Sequence, residues 1–384
     1  MRVIVLFVLT LPVVRAAQFA EHTVASDLKG GYQVVAADVN HDGKIDLIAL
    51  GSGQTDLVWY ENPTWRRHVI ASGMRRMINL AYRNDQIALA SEFENNPNRS
   101  VGIVSLLVPN GDPTRPWNLK EIDRLPTSHR LRWADIEGNG KKVLVNAPLL
   151  GSMAQAPEYR GSVPLVLYRP GEWKRELIGD ANQGVQHGIL VIDWDGDGRE
   201  ALLTASFSGI ILYQYQKNRE WKRTEITSGR PAGCPQCGSS DVAVGRVAGE
   251  RFIAAIEPWH GNELAVYRNG EQGWKRVVID DSLIEGHTIL TADLDGNGSD
   301  QIIAGFRGGG GSVLIYTADL TGSWAKSVLD KAIPANACTV ADLSGHHRQD
   351  IACIGGSLLK WYEHLGIVLA LGRTGVAETT PSRR

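Results

Sequence analysis

The chain has 384 residues, 43% of them hydrophobic, and a formal net charge of −2 from 40 Lys+Arg against 42 Asp+Glu. That is apolar material for a large core, and no linker, low-complexity run or charge block divides it, so a single large domain is expected. Charges of both signs are spread along the chain and give no field for gripping phosphates, which argues against nucleic acid as a partner.

The first residues, "MRVIVLFVLTLPVVRAAQF", combine Arg2, an apolar stretch from Val3 to Val14 and small residues at Ala16 and Ala17. This is the pattern of a secretory signal over residues 1–16, cut after Ala16, and it implies a secreted or periplasmic protein. The alternative, an uncleaved anchor, suffers from an apolar run shorter than the ~20 residues of a bilayer span. "GIVLALG" from Gly366 is shorter still, so no membrane span is expected once the signal is gone. The propeller described below is expected over 17–365, and 366–384, ending "TGVAETTPSRR", as a disordered tail. In an exported chain four cysteines can form two disulfides: Cys234 and Cys237 in "CPQC" suit a loop staple, while Cys338 and Cys353 either pair across a hairpin or stay reduced.

A repeat organises the rest. "EWKRELIGD" from Glu172 is echoed by copies at Trp65, Trp117, Trp221, Trp274 and Trp324, and "QFAEHTVAS" around Phe19 repeats the pattern with Phe for Trp. Each copy after the first follows a short apolar strand such as "LVWYEN", "LVLYRP" or "VLIYTA", and the last such strand, "LKWYEH", has no copy after it. Alternating strand patterns, Gly-rich turns and a period near fifty residues indicate four strands per unit, stacked radially: an all-β, seven-bladed β-propeller. The N-terminal copy, residues 18–27, then supplies the outer strand of a closing blade whose inner three strands come from 336–364. Each recurring Trp is expected to seal its outer strand against its own blade or the neighbour, with the flanking Lys and Arg in water.

Between the first two strands of several units lie acidic loops: "DVNHDGKID" from Asp38, "DIEGNGKKV" from Asp135, "DWDGDGREA" from Asp193 and "DLDGNGSDQ" from Asp293. Oxygen side chains at positions 1, 3, 5 and 9 with a Gly at 6 can wrap a hard cation such as calcium. The expected ligands are Asp38, Asn40, Asp42 and Asp46, then Asp193, Asp195 and Asp197, and Asp293, Asp295 and Asn297; the alternative is a metal-free acidic turn closed by Asx hydrogen bonds. With these loops at blade spacing the chain resembles the FG-GAP or VCBS repeat family, which implies a propeller carrying calcium loops and leaves its activity open.

In a propeller the first and second strands of a blade join on one face, so the start of the first and the end of the second lie on the other. Counting six residues back from each loop aspartate reaches Tyr32, His129, His187 and His287, with Asn336 in the same slot of the last blade. The end of the second strand in blade 5, "AAIEPWHGNELAVY", adds Glu257 and His260, and Arg307 holds the corresponding place in blade 6. Converging imidazoles suit zinc or a similar transition metal, and His187, His260 and His287 are the expected ligands; separate channel-lining histidines are the alternative. "IEPWHGNELAVY" with "EGHTILTADLDGNGSDQIIAGFRG" resembles the propeller portion of the aldos-2-ulose dehydratases and related keto-sugar lyases. That resemblance implies a channel-mouth metal site matching His260, His287 and Arg307, joined by His187, and a lyase or dehydratase acting on a carbohydrate. His129, Tyr32 or Glu257 would then be the base, and Arg307 would hold a hydroxyl or carboxylate of the substrate. The rival expectation is a non-catalytic, calcium-stabilised propeller binding a glycan or a protein partner.

Overall fold

The structure, a computed structural model, describes residues 13–319 and 322–371. Seven sheets of four antiparallel strands form the ring expected from the repeat. The innermost strands of blades 1 to 7 are Gly31–Ala37, Asn79–Arg83, Ser128–Ala134, Gln186–Ile192, Asp241–Val247, Gly286–Ala292 and Ala337–Ala341. The seventh sheet pairs the N-terminal strand, Val13–Ala25, with Leu358–Leu371, so the two ends of the chain complete one blade. This pairing runs beyond the expected 17–365 limits on both sides, because Val13–Gln18 zips to Gly366–Leu371. A cut after Ala16 would remove four residues of that strand; the rest of the expected signal and the tail beyond Leu371 lie outside the described residues. Among the described residues no helix is long and apolar enough to cross a membrane.

The recurring aromatics do seal one blade to the next. Trp274 of blade 5 packs on Trp194 of blade 4, Trp324 of blade 6 on Phe252 of blade 5, and Trp65 of blade 1 on Trp361 of blade 7, with ring centroids 6.0, 5.2 and 5.9 Å apart. The basic residues beside them are not simply solvated. In blade 3 the buried Tyr168 and the half-exposed Arg175 both reach Asp123 at the end of the preceding outer strand, at 2.6 and 2.7 Å. Tyr316 and Lys326 share Asp280 in the same way, and Tyr362 and Lys360 share Asp330. A hydrogen bond to a charged group contributes about 1.5–3 kcal/mol, so each Tyr–acid–base clamp is a real part of the adhesion between blades.

Both cysteine pairs are joined, Cys234 to Cys237 and Cys338 to Cys353, the second across the facing inner strands of blade 7. The acidic loops fold as tight turns: the two oxygens of Asp38 accept the N–H groups of Asp42 and Gly43, and Asp135, Asp193 and Asp293 close theirs alike. Asp46, close enough to Asp38 and Asp42 to feel their charge, has a structural role of its own. It is fully buried, its oxygens cap the N–H groups of Val39 and Asn62 at 2.9 Å, and burial pushes its carboxyl up to about 6. Gln301 and Asp350 occupy the same structural place, capping Leu294 and Leu343, which makes this position a strand-start cap shared by blades.

Candidate metal centre

The slot identified by counting back from the loop aspartates has a common backbone cause. In blades 1, 3, 4 and 6 the pairing register between the first two strands slips by one residue, and the residue left over is Tyr32, His129, His187 or His287. The innermost strands of blades 2, 5 and 7 pair without such a slip. A β-bulge frees one residue from the ladder and re-aims its side chain. Here four bulges turn one tyrosine and three histidines toward the same channel mouth.

His260 arrives by another route, just after the second strand of blade 5, Glu250–Glu257. Its backbone sits at φ 48°, a costly conformation for a non-glycine residue. The turn that holds it is closed by Gly261, whose N–H bonds Pro258 O at 2.8 Å and where any Cβ would meet Glu257 O at 2.3 Å. The His260 N–H is also anchored on Ser240 Oγ at 3.3 Å.

These elements bring His187, His260 and His287 together with one ligating atom from each within 4.8 Å of the others, the one group of its kind among the described residues. Hydrogen bonds set the ring orientations. His187 Nδ1 faces Ser240 O at 3.3 Å and His287 Nδ1 faces Asn336 O at 2.6 Å, so both donate from Nδ1 and leave Nε2 bare toward the centre. Arg307 Nη2 donates to His260 Nδ1 at 3.2 Å, which puts that ring's proton on Nε2, 3.2 Å from His187 Nε2. On the other side Tyr32 Oη lies 3.2 Å from both His129 Nε2 and His287 Nε2. His129 Nδ1 is buried without a partner.

Burial holds the histidines neutral. His129, His187 and His287 are pushed well below the usual imidazole range by loss of water, with the positive charge of Arg130 adding to this in each. His260 is lowered to about 3 by burial, then by Arg307 and Arg130. The Tyr32 hydroxyl is raised by burial and stays protonated. Neutral imidazole is the metal-binding form, and a carbonyl behind Nδ1 is the usual support for a ligand bound through Nε2. Tetrahedral zinc at ~2.0–2.1 Å places ligand nitrogens about 3.4 Å apart, close to the His260–His187 separation and within a small side-chain rotation for the third. The donor set therefore fits a zinc-like ion, provided His260 gives up or moves its Nε2 proton. Arg307 has Glu285 3.6 Å away as an alternative partner when it does so.

Two expected residues are placed elsewhere or in other roles. Glu257 is fully buried, but its carboxylate points into the interface of blades 4 and 5, held by Ser239 at 2.7 Å, Tyr267 at 2.6 Å and Arg276 at 2.8 Å. Strand alternation puts it on the side of Ala255, which packs in that interface. The outer strand of blade 4, Trp221–Thr227, ends in Thr where three other copies carry Asp123, Asp280 and Asp330, and Glu257 supplies the acid of the Tyr–acid–base clamp to Tyr267 and Arg276. It is thus removed as a base. Arg307 is at the mouth as expected, but its observed contact is the His260 ring, and its Nε is buried without a partner. Residues not foreseen include Ser240 and the carbonyl of Asn336, which orient the imidazoles, and Phe93 and Trp259, whose rings lie 5.4 and 4.8 Å from His129 and His260. The slot count could not reach Ser240, because blade 5 lacks the loop aspartate from which to count.

The family described as the aldos-2-ulose dehydratase β-propeller domain matches residues 101–270, a span that includes His129, His187 and His260 and ends before His287 and Arg307. Aldos-2-ulose dehydratase of Phanerodontia chrysosporium is 25% identical over 236 residues, 54% of this chain and 26% of that protein. The alignment thus spans about a quarter of the relative's length. Among solved structures, the BBS1N chain crystallised in complex with ARL6DN is similar in fold, with a TM-score of 0.56 and 14% identity over 95% of this chain and 98% of that one.

Proposed function

We propose that this chain is a metal-dependent lyase that removes water from a keto-sugar or related carbohydrate at the histidine mouth of the propeller. The observation that carries the reading is the convergence of three neutral imidazoles from blades 4, 5 and 6. The similarity to an aldos-2-ulose dehydratase propeller supplies the substrate class. Two formed disulfides agree with export to an oxidising compartment, the localisation we propose with it.

His187, His260 and His287 would hold the ion, and a zinc-like ion supplies Lewis-acid polarisation of a ketone oxygen when bound. The chain's own groups do the rest. A base takes the proton from the carbon next to the ketone, and the electron pair forms a carbon–carbon double bond as the hydroxyl on the next carbon leaves, protonated, as water. His129 is the better base: it is neutral, and the Tyr32 hydroxyl at its Nε2 holds the ring facing the mouth. Phe93 and Trp259 flank the imidazoles and limit the approach of water. Arg307, released from His260, would hold a substrate hydroxyl or carboxylate.

The reaction converts a saturated ketone to a conjugated enone, so the test is ultraviolet absorbance on incubating zinc-loaded protein with a panel of keto-sugars. Turnover that is lost in His129→Gln with zinc content unchanged supports the reading. A protein that holds zinc yet turns over no member of the panel contradicts the lyase assignment and favours a binding propeller.

A further inference from the structure

Behind the histidines, the channel opens toward the opposite face as a second cavity of about 560 Å³, lined by parts of blades 1, 2, 3 and 7. Its charged lining residues are Arg83, Arg132 and Lys142, and no carboxylate lines it. Lys142 reaches out to Glu200 at 3.4 Å. Arg83 is spent on the carbonyls of Lys142 and Gly140 and lies over the Trp133 ring at 5.6 Å. Arg132 is different. It donates only from Nη1, to Leu131 O at 2.8 Å and Asn79 Oδ1 at 3.4 Å, and the rest of its guanidinium has no partner among the described residues.

One turn of the pleat away, Arg130 is buried at 6% exposure, donating to His187 O at 3.2 Å. Arg130, buried, and Arg132, half-buried with its free N–H groups toward the cavity, lie on one strand and face a single acid, Asp241, which lies beyond ion-pair distance of both. Burial and the like charge of Arg130 bring the Arg132 guanidinium down to about 10, and burial raises Asp241 to about 6. Two like charges side by side with no ion-pair partner favour a counter-charge between them, and a planar guanidinium with free N–H groups matches an oxyanion.

We propose that this second cavity binds a small oxyanion, a phosphate or carboxylate group, on Arg132, with Arg83 and Lys142 at its rim. Gln33 and Thr339 supply further polar lining. The carboxylates of the nearby turns do not compete for Arg132: Asp38 and Asp135 are closed on their own backbone N–H groups, and Asp85 is taken by Tyr82 and His41. The site is separated from the metal centre by the Tyr32, His129 and His287 contacts and is independent of the lyase reading.

The test is calorimetric titration of the full chain with inorganic phosphate, and separately with glucuronate, at constant ionic strength and with chloride as the control. Saturable binding of phosphate or glucuronate is expected, and the tighter of the two identifies the source as free phosphate or a sugar carboxylate. Arg132→Gln should weaken that binding about 10- to 100-fold while leaving zinc content unchanged. Asp241→Asn, which removes the one competing acid, should tighten it several-fold, and it guards against a trivial loss of fold in the first variant. No saturable binding of either anion by the wild type, or equal affinity in Arg132→Gln, would overturn the proposal.

Discussion

The two ends of the channel are built from the same repeat and do opposite things with charge. At one end four β-bulges and a strained turn gather imidazoles that burial keeps uncharged, with two carbonyls fixing which nitrogen faces inward. At the other, regular ladders run into acidic turns whose carboxylates are consumed by their own backbone N–H groups. The lesson is that a cluster of charges in sequence becomes a scaffold when the backbone satisfies it locally. Uncharged rings left over from the ladder remain available for chemistry.

The largest effect that separates the two ends is expected from His287→Ala. It removes a ligand and the Tyr32 contact together, and should lower zinc content to background and turnover at least ~1,000-fold; removing one oxyanion-hole donor alone costs about 100- to 1,000-fold. The matching change at the other end, Asp193→Asn, should leave turnover within about two-fold. Equal losses in the two variants would erase the distinction.

Glu257→Gln sharpens the comparison from the body of the blade. Breaking a buried ion pair costs about 3–5 kcal/mol, and Arg276 keeps Glu263 as a second partner, so about 3 kcal/mol of stability should be lost in denaturant melts. Turnover per folded molecule should be retained. A loss of turnover with normal stability would return Glu257 to the role of base.

Acid titration gives a smaller, signed effect. His129, His187, His260 and His287 at the mouth, and His364, have folded-state pKa values below their unfolded values, so below about pH 6.5 the unfolded chain binds more protons and stability falls as pH drops. Asp46 and Asp241, raised to about 6, act in the opposite sense between about pH 6 and 4. Glu257 and Asp300 act with them, but Asp123, Asp280 and Asp330, lowered by the bases that clamp them, side with the histidines and leave a net loss, at about 1.4 kcal/mol per group per pH unit as an upper bound. Melting temperature should therefore decline from pH 7 to 4, and His129→Gln should flatten the decline; a flat profile in the wild type would mean that the rings are solvated. The smallest effect is expected from calcium. With Asp46 committed to Val39 and Asn62, added calcium should raise the melting temperature by no more than a few degrees through the remaining oxygens of the Asp38, Asp193 and Asp293 loops.

Blade number, ring closure and the positions of His129, His187 and His287 could all be read from the sequence, because a propeller repeats one strand pattern and equivalent positions fall at equivalent places in every blade. His260 was legible from its place after the second strand. The direction of Glu257 was not read, yet part of the signal was present: where Asp123, Asp280 and Asp330 stand in three copies, the Trp221 copy has Thr227, so the acid met by Tyr267 has to come from elsewhere. The capping role of Asp46 was not read, because an acid nine residues into a calcium loop and an acid capping a strand start look alike in one dimension. Arg130 and Arg132 gave no periodic signal. Their importance arises only when seven edges enclose a space in which a charge has nowhere to go.

The account stands most directly on metal stoichiometry. Elemental analysis of protein purified without added zinc, then after zinc loading and dialysis, should give one zinc-like ion per chain in the wild type, and none in His260→Ala or His287→Ala. An ion retained unchanged in both variants, or none taken up by the wild type, would contradict a centre built on these three imidazoles.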